Sequence, residues 1–229
     1  MLRVPGGAYE PLYALAGEGT RTVAAFWLDE RAVTNAEFLE FVTRHPRWRR
    51  SQAPRVFVDA AYLSDWSGDL ALCDAPPDRP ITFVPWFAAS AYCRSLGKRL
   101  PSEAEWELAA NPPAASEQAR AEARRVVLAF YARPRGPLPR AGLGAPNEFG
   151  VRDLHGVIWE WVEDWNSALV PGDERESKDA RDKRFCGGGV AGASEADDYA
   201  AFMRFAFRAS LEATYALHHL GFRCARSAP

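Results

Sequence analysis

Apolar residues recur at the spacing of an α-helix in several stretches of the chain. The pattern predicts helices over residues 34–45, 85–97, 101–110 and 116–132. Thr34 and Glu37 lie three positions apart at the start of the first helix, and Ser102 and Glu105 do the same near the start of the third. Both pairs have the spacing of a capping box, in which side chains satisfy the free N–H groups of the first turn. Helices are therefore expected to begin at Thr34 and Ser102.

Strands are predicted from short runs of β-branched and aromatic residues. They cover residues 23–33, 81–84, 149–154, 156–165 and 220–226. The connections between elements are long and polar, or rich in glycine and proline, over 46–80, 133–148 and 166–198. The charged stretch 171–184 is expected to be a solvated loop. So much irregular chain is typical of loops that carry function or are held by special contacts.

The composition is that of a globular chain, with 48% hydrophobic and 25% charged residues among 229. The formal net charge of −2 gives no electrostatic footprint for nucleic acid, so no such partner is expected. No apolar run reaches the roughly 18 residues of a membrane span, so no membrane partner is expected either. The first residues lack the apolar core of a secretory signal, which predicts a cytoplasmic protein, or a periplasmic one if a natural leader has been removed.

Candidate chemistry is concentrated in residues 214–226, TYALHHLGFRCAR. His218, His219 and Cys224 could be metal ligands, Cys224 could be a nucleophile, or the stretch could be the last core strand. Two adjacent histidines point to opposite sides of an extended chain, so they are not expected to share a metal. The four cysteines contain no C-x-x-C motif, and one disulfide, two or none fit this spacing.

Four blocks of sequence carry a resemblance to a known family. They read FWLDERAVTNAEFLEFV, PITFVPWFAASAYCRSLGKRLPSEAEWELAA, NEFGVRDLHGVIWEWVEDW and LGFRCAR, and they run in this order from residue 26 to residue 226. The chain resembles the formylglycine-generating enzyme, or sulfatase-modifying-factor, family. The resemblance implies one domain over 1–229 with an α+β fold, similar to a decorated C-type lectin. This fold has little regular structure, a small twisted sheet and two main helices.

The resemblance also implies structural roles for particular residues. Cys93 and Cys224 match a structural cysteine pair of the family. The residues themselves predict further contacts, and Arg223 of the closing strand is expected to pair with a buried carboxylate. Lys98 and Arg99 are expected to form an ion-pair network with three glutamates, namely Glu103, Glu105 and Glu107. The tryptophans of WEWVEDW are expected to lie in the core.

A calcium site is the one metal centre that the resemblance implies here. In the family, a carboxylate and main-chain carbonyls hold the ion, as a hard cation prefers. The matching positions are the Glu160 side chain and the backbone around Gly156 and Ile158. Val157 stands where the family has an asparagine, which removes one oxygen ligand from the set.

The family's copper site is lost from the sequence. Active members oxidise a substrate cysteine with copper(I) held by two thiolates, which are soft ligands suited to this ion. The two thiolate positions fall at Ala200 and Phe205, and Arg208 matches the arginine that follows. No cysteine occurs between residues 187 and 223. Copper binding and formylglycine formation are therefore not expected, and no catalytic residue is assigned.

A ligand-binding groove is predicted instead of a catalytic centre. Its residues are Cys186, Gly188, Gly189, Tyr199, Phe205, Arg208 and His219. The glycines would leave backbone N–H groups open to a bound chain, and Arg208 could hold a carboxylate of a partner. The alternative is that the aromatic residues fill the vacated copper site as core.

The function expected from these residues is that of a non-catalytic accessory or binding protein with a protein or peptide partner. The C-terminal third resembles nitrite-reductase accessory proteins of denitrifying bacteria, which points to nitrite reductase or to the maturation of copper enzymes. One alternative is an oxidoreductase with relocated metal-dependent chemistry, similar to iron-dependent sulfoxide synthases or PvdO-like tailoring enzymes. Another is a lectin-like module that displays a ligand-binding surface.

Overall fold

The computed structural model describes residues 1–9, 20–73, 75–111, 117–132, 136–165, 207–208 and 210–228. The helices of this part of the chain are α1 (Asn35–Arg44), α2 (Trp86–Ser95), α3 (Glu103–Ala110) and α4 (Glu117–Ala132), with a 3₁₀ turn at Pro46–Trp48. The strands are β1 (Leu2–Val4), β2 (Gly7–Tyr9), β3 (Arg21–Val23), β4 (Phe26–Leu28), β5 (Trp159–Glu160), β6 (Leu220–Gly221) and β7 (Ala225–Ser227). The charged stretch 171–184 lies outside the described residues.

All four predicted helices are confirmed, and both capping boxes form. The Thr34 hydroxyl accepts a hydrogen bond from the Glu37 N–H, and the Glu37 carboxylate accepts one from the Thr34 N–H. Ser102 and Glu105 make the same reciprocal pair at the start of α3. Helix boundaries follow from these side-chain contacts because they satisfy N–H groups that the helix cannot pair itself.

The strands are shorter than predicted and form three small sheets within the described residues. One has the order β1–β4–β7, with antiparallel pairing throughout, another pairs β2 with β3, and the third pairs β5 with β6 in parallel. The predictions of strands over 81–84 and 149–154 were wrong. Residues 81–84 instead bond to three different loops: Ile81 N–H donates to Val33 O, Phe83 N–H donates to Leu217 O, and Phe83 O accepts from Leu63 N–H.

Two hydrophobic clusters form the core of the part of the chain that the structure describes. The larger cluster surrounds Phe38, whose ring stacks on Tyr92 at a centroid distance of 5.9 Å and meets the edge of Phe222 at 6.2 Å. The smaller cluster packs β1 and β4 against α3 and includes Leu28 and Trp106. Aromatic side chains, which bury large areas, therefore make up much of the packing in the larger cluster.

A disulfide bond lies within the larger cluster and joins α2 to the segment before β7. Cys93 of α2 and Cys224, which precedes β7, are bonded with their Cα atoms 5.6 Å apart, and both are fully buried. This is the pair that the family resemblance implied. Cys224 is therefore committed to a structural bond, which answers the question of whether it could be a nucleophile or a metal ligand. The third described cysteine, Cys73, is exposed and carries a free thiol.

We expect the double variant Cys93→Ser/Cys224→Ser to lose about 2–5 kcal/mol of unfolding free energy, because the bond closes a long loop and so restricts the unfolded chain. The two cysteines are 131 positions apart. Urea unfolding followed by tryptophan fluorescence measures the loss. Cys73→Ser is the matched control and should leave stability within about 0.5 kcal/mol of the parent.

Candidate functional site

A buried salt bridge between Arg223 and Glu160 lies at the centre of the site. Nε and Nη2 of Arg223 each donate to one carboxylate oxygen of Glu160 at 2.8 Å, and both side chains are fully buried. The remaining guanidinium N–H groups donate to the main-chain carbonyls of Asp29, Glu30 and Arg152. The expectation that Arg223 pairs with a buried carboxylate is confirmed.

A second buried ion cluster lies beside the first. Arg208 donates to Glu103 at 2.9 Å and to Glu107 at 2.8 Å, and its guanidinium stacks over the Trp106 ring at 4.9 Å. Trp106 in turn donates its indole N–H to Glu160 at 2.8 Å, which links the two clusters. Glu103 and Glu107 can share one arginine because residues four apart lie on the same face of a helix.

Burial and charge oppose each other in the second cluster. Burial acts to lower the pKa of Arg208, but the charges of Glu107 and Glu103 outweigh it and hold the pKa above its ordinary value. Burial raises the pKa of the Glu103 carboxyl, although the charge of Arg208 acts to lower it. Arg208 therefore stays charged, and Glu103 is the carboxyl that is harder to ionise than in water.

The predicted ion-pair network around Lys98 and Arg99 forms only in part. Arg99 makes a bidentate pair with Glu105 at 2.6 Å, as expected. Lys98 pairs instead with Asp29 at 2.7 Å. The other two glutamates of α3 face Arg208, which lies more than one hundred positions away in sequence.

A small, open cleft lies beside the two ion clusters. Its lining residues are Trp106, Phe130, Leu154, His155, Gly156, Ile158, Trp159, Glu160 and Arg208. We call it the Trp159 cleft. The Trp159 ring stacks on Phe207 at a centroid distance of 4.4 Å and meets the edge of the Phe130 ring of α4 at 5.7 Å. Its walls are thus mainly aromatic, while the charged groups lie buried at its base.

The residues expected to hold calcium do line this cleft, but their donor set does not fit the ion. Calcium takes six to eight oxygen ligands, several of them from unneutralised carboxylates. Both oxygens of Glu160 already accept hydrogen bonds from Arg223, and one accepts a third from Trp106. A second guanidinium, that of Arg208, lines the same space as Gly156 and Ile158. The positive charge that the Glu160 carboxylate faces therefore comes from the guanidinium groups of Arg223 and Arg208.

Most of the predicted groove cannot be compared with the structure. Five of its residues lie outside the described part of the chain, namely Cys186, Gly188, Gly189, Tyr199 and Phe205. Ala200, the other position of the family's copper thiolates, lies outside it too. Arg208 and His219 are described, and both lie near the Trp159 cleft. His219 contacts the Phe130 ring at 6.1 Å.

The role expected for Arg208 needs correction. It was expected to hold a carboxylate of a partner, but it is 7% exposed and its two carboxylate partners belong to α3 of the same chain. A guanidinium already bound to two carboxylates attracts no third one strongly. Arg208 therefore shapes the cleft from below and does not recruit an acidic ligand.

The expected orientation of the two histidines is also wrong. Residues 218 and 219 form a turn rather than an extended chain, so their rings lie on the same side, with centroids 4.2 Å apart. The alternation of side chains that holds in a strand does not apply at a turn.

The family model described as the sulfatase-modifying factor enzyme 1-like domain matches residues 1–228. The chain belongs to this family. It is 31% identical over 288 residues to the formylglycine-generating enzyme of Streptomyces coelicolor, with 99% of this chain and 89% of that protein covered. The solved structure of PvdO from Pseudomonas aeruginosa shares the fold, with a TM-score of 0.53, 17% identity, and 99% and 93% of the two chains covered.

Other relatives are much longer proteins. The serine/threonine-protein kinase pkn1 of Chlamydia pneumoniae is 29% identical over 158 residues, which are 62% of this chain and 23% of the kinase. The chain thus spans about a quarter of the length of the first curated relatives that it matches. The domain therefore occurs both as most of a protein and as one part of a larger one.

Sequence reasoning missed the aromatic walls of the Trp159 cleft. Trp159 was assigned to the core, whereas it is only half-buried, and its partners Phe130 and Phe207 come from distant parts of the chain. The sequence did carry a signal for the ion cluster at the base of the cleft. Glu103 and Glu107 are four positions apart, which places two carboxylates on one helix face, and such a pair requires a buried cation opposite it.

We expect Arg208→Ala to cost about 3–5 kcal/mol of unfolding free energy, because it leaves two glutamates without their cation. Urea unfolding measures the loss. Arg226→Ala, at an exposed position of β7, is the matched control and should change stability by less than about 0.5 kcal/mol. Equal effects of the two variants would show that the ion cluster does not hold the site together.

The raised pKa of Glu103 predicts a dependence of stability on pH. A carboxyl whose folded pKa is raised favours the folded state while protonated, and this contribution is lost as pH rises from its ordinary value of 4.5 through the folded pKa. Glu103→Gln does not titrate, so its unfolding free energy relative to the parent should increase with pH across this window.

Glu122→Gln is the control for the pH series. Its hydrogen bond to Arg125 lowers the pKa of Glu122 at the surface, so the variant should show no increase in relative stability with pH. A Glu103→Gln profile parallel to that of the parent would contradict the assignment of the raised pKa to Glu103.

Proposed function

We propose that this chain is a binding member of its family that recognises a protein or peptide and does not generate formylglycine. The proposal rests on which positions hold a cysteine and on how those cysteines are bonded. Cys93 and Cys224 are bonded to each other, and the two positions of the family's copper thiolates are Ala200 and Phe205. An alanine and a phenylalanine supply no ligand for copper(I).

The Trp159 cleft supports a binding role. Its charged groups are matched within the chain, so a ligand need not neutralise them, and its walls present aromatic faces. Apolar clefts with aromatic walls are typical of sites that take an apolar side chain of a partner. The partner in this proposal therefore inserts an apolar or aromatic residue beside Trp159.

The likeness of the C-terminal third to nitrite-reductase accessory proteins supports a choice of first partners. Enzymes of denitrification, nitrite reductase and other copper enzymes among them, are the candidates to test. In this role the protein acts as an accessory factor during maturation.

The absence of formylglycine formation is testable directly. The protein is incubated with copper, oxygen and a sulfatase-type cysteine peptide, with the Streptomyces coelicolor formylglycine-generating enzyme as positive control, and mass spectrometry follows the aldehyde. We expect no aldehyde from this chain. We also expect the double variant Ala200→Cys/Phe205→Cys to bind copper(I) more tightly than the parent in competition with a chelator. Aldehyde formation by the parent protein would overturn the proposal.

The cleft is tested by a matched pair of tryptophan variants. Trp159→Ala should weaken capture of a purified nitrite reductase by about tenfold or more, because loss of an aromatic anchor removes most of its local binding energy. Trp27→Ala, at another half-buried tryptophan in a short strand, should bind like the parent. Both variants are first checked for an unchanged melting temperature. Equal binding by the two variants would place the partner elsewhere.

A further inference from the structure

Five arginines are concentrated in the segment that begins at the end of α1. Residues 44–55 read RHPRWRRSQAPR. Four of these arginines are exposed and one is half-buried, namely Arg44, Arg47, Arg50 and Arg55, and Arg49. Turns keep the segment compact, since the N–H groups of Gln52 and Ala53 both donate to Arg49 O, at 2.9 and 2.8 Å. Five positive charges therefore share a small part of the surface.

Carboxylates balance these arginines only in part. Arg44 pairs with Glu40 at 3.1 Å, whereas the other four make no ion pair within the described residues. Arg49 and Arg50 donate to the main-chain carbonyls of residues 42 and 66, which carry no net charge. The guanidinium groups are thus held in place without being neutralised.

Asp69 shows how a carboxylate is stabilised beside the segment. Its two oxygens accept hydrogen bonds from the N–H and the hydroxyl of Ser51, at 2.8 and 2.6 Å. These bonds lower the pKa of Asp69, and the charges of Arg49 and Arg50 lower it further. The charge of Arg50 also acts on the carboxylate of Asp65. With the exposed pair at the end of α1 counted, three carboxylates lie near five guanidinium groups, so positive charge is in excess.

A row of aromatic rings adjoins the arginines. The Arg47 guanidinium lies over the Trp48 ring, 5.3 Å from its centroid. From Trp48 the row continues to Phe57 at 6.4 Å, to Phe87 at 5.0 Å and to Trp86 at 5.5 Å, measured between successive ring centroids. The last three rings are half-buried, so part of each remains on the surface. Cationic and apolar groups are therefore available side by side.

We propose that residues 44–57, with the rings of Phe87 and Trp86, dock an acidic segment of a partner protein that also carries an aromatic side chain. We call this the arginine surface. Arginine clusters bind carboxylates through charge-assisted hydrogen bonds, which can be bidentate. Val56 is 70% exposed within the same segment and offers a further apolar contact. The excess positive charge sets the sign of the partner, and the rings favour an aromatic residue among its carboxylates.

A nucleic acid fits the arginine surface less well than an acidic protein segment. Binding of single strands relies on ring faces on which successive bases stack. Neighbouring rings of the row are instead inclined to each other by 44°, 57° and 84°. The chain also has a formal net charge of −2, which disfavours a long polyanion. A short acidic segment carries fewer charges and needs to place only one side chain on the rings.

The arginine surface shares no residue with the Trp159 cleft, so the inference does not rest on the proposed function. Its test uses the full chain and four labelled probes in fluorescence anisotropy. One peptide alternates glutamate with tryptophan, a second has serine in place of tryptophan, and a third has lysine in place of glutamate. Single-stranded DNA of the same length is the fourth probe. We expect the glutamate–tryptophan peptide to bind most tightly and to lose affinity as salt is raised, because salt screens exposed charges. Trp159→Ala should bind this peptide like the parent.

Arg47→Gln/Arg55→Gln should weaken binding of the glutamate–tryptophan peptide by about fivefold, because two exposed ion pairs are lost. Arg3→Gln/Arg226→Gln removes the same charge from exposed positions of β1 and β7, so it is the matched control and should bind like the parent. Arg47→Lys/Arg55→Lys keeps the charge but loses bidentate bonding, so its affinity should lie between those of the two glutamine variants.

All variants are first checked for an unchanged melting temperature. Equal affinities of the two glutamine variants would overturn the proposal. Tighter binding of the lysine peptide or of the DNA than of the glutamate–tryptophan peptide at the same salt concentration would do so too. Equal binding of the two acidic peptides would overturn the part assigned to the aromatic rings.

Discussion

The structure depends on the buried pair of Arg223 and Glu160. Both side chains are fully buried, so each would be an isolated charge in a medium of low dielectric constant without the other. The guanidinium also donates to carbonyls of residues 29, 30 and 152, which lie on two loops outside the strands. A single side chain thus holds together segments that a larger sheet would hold through backbone bonds.

The same pair fixes the site through Trp106. Its indole N–H binds Glu160, while its ring carries the guanidinium of Arg208, which two glutamates of α3 neutralise. The base of the Trp159 cleft is therefore charged but internally matched. The aromatic rings of Phe130 and Trp159 line the rest of the cleft.

The disulfide and the aromatic clusters provide further contacts between segments that lack regular secondary structure. Cys93 and Cys224 join α2 to the segment before β7, and Phe38, Tyr92 and Phe222 pack around that junction. The His218–His219 turn lies where the closing segment, the loop at Phe83 and α4 meet. The described contacts at this end of the molecule are therefore made by residues far apart in sequence.

The helices and the family could be predicted from local sequence patterns. Capping boxes at Thr34 and Ser102 are local, since every partner lies within three positions, and the four sequence blocks identified the fold and the cysteine pair. The remaining features depend on contacts between distant parts of the chain. The described strands are two or three residues long, too short to show alternation, and the runs at 81–84 and 149–154 bond to loops rather than to a neighbouring strand. The partners of Arg208 and the stacking around Trp159 join residues that no local pattern connects, because burial and charge pairing act across the folded chain.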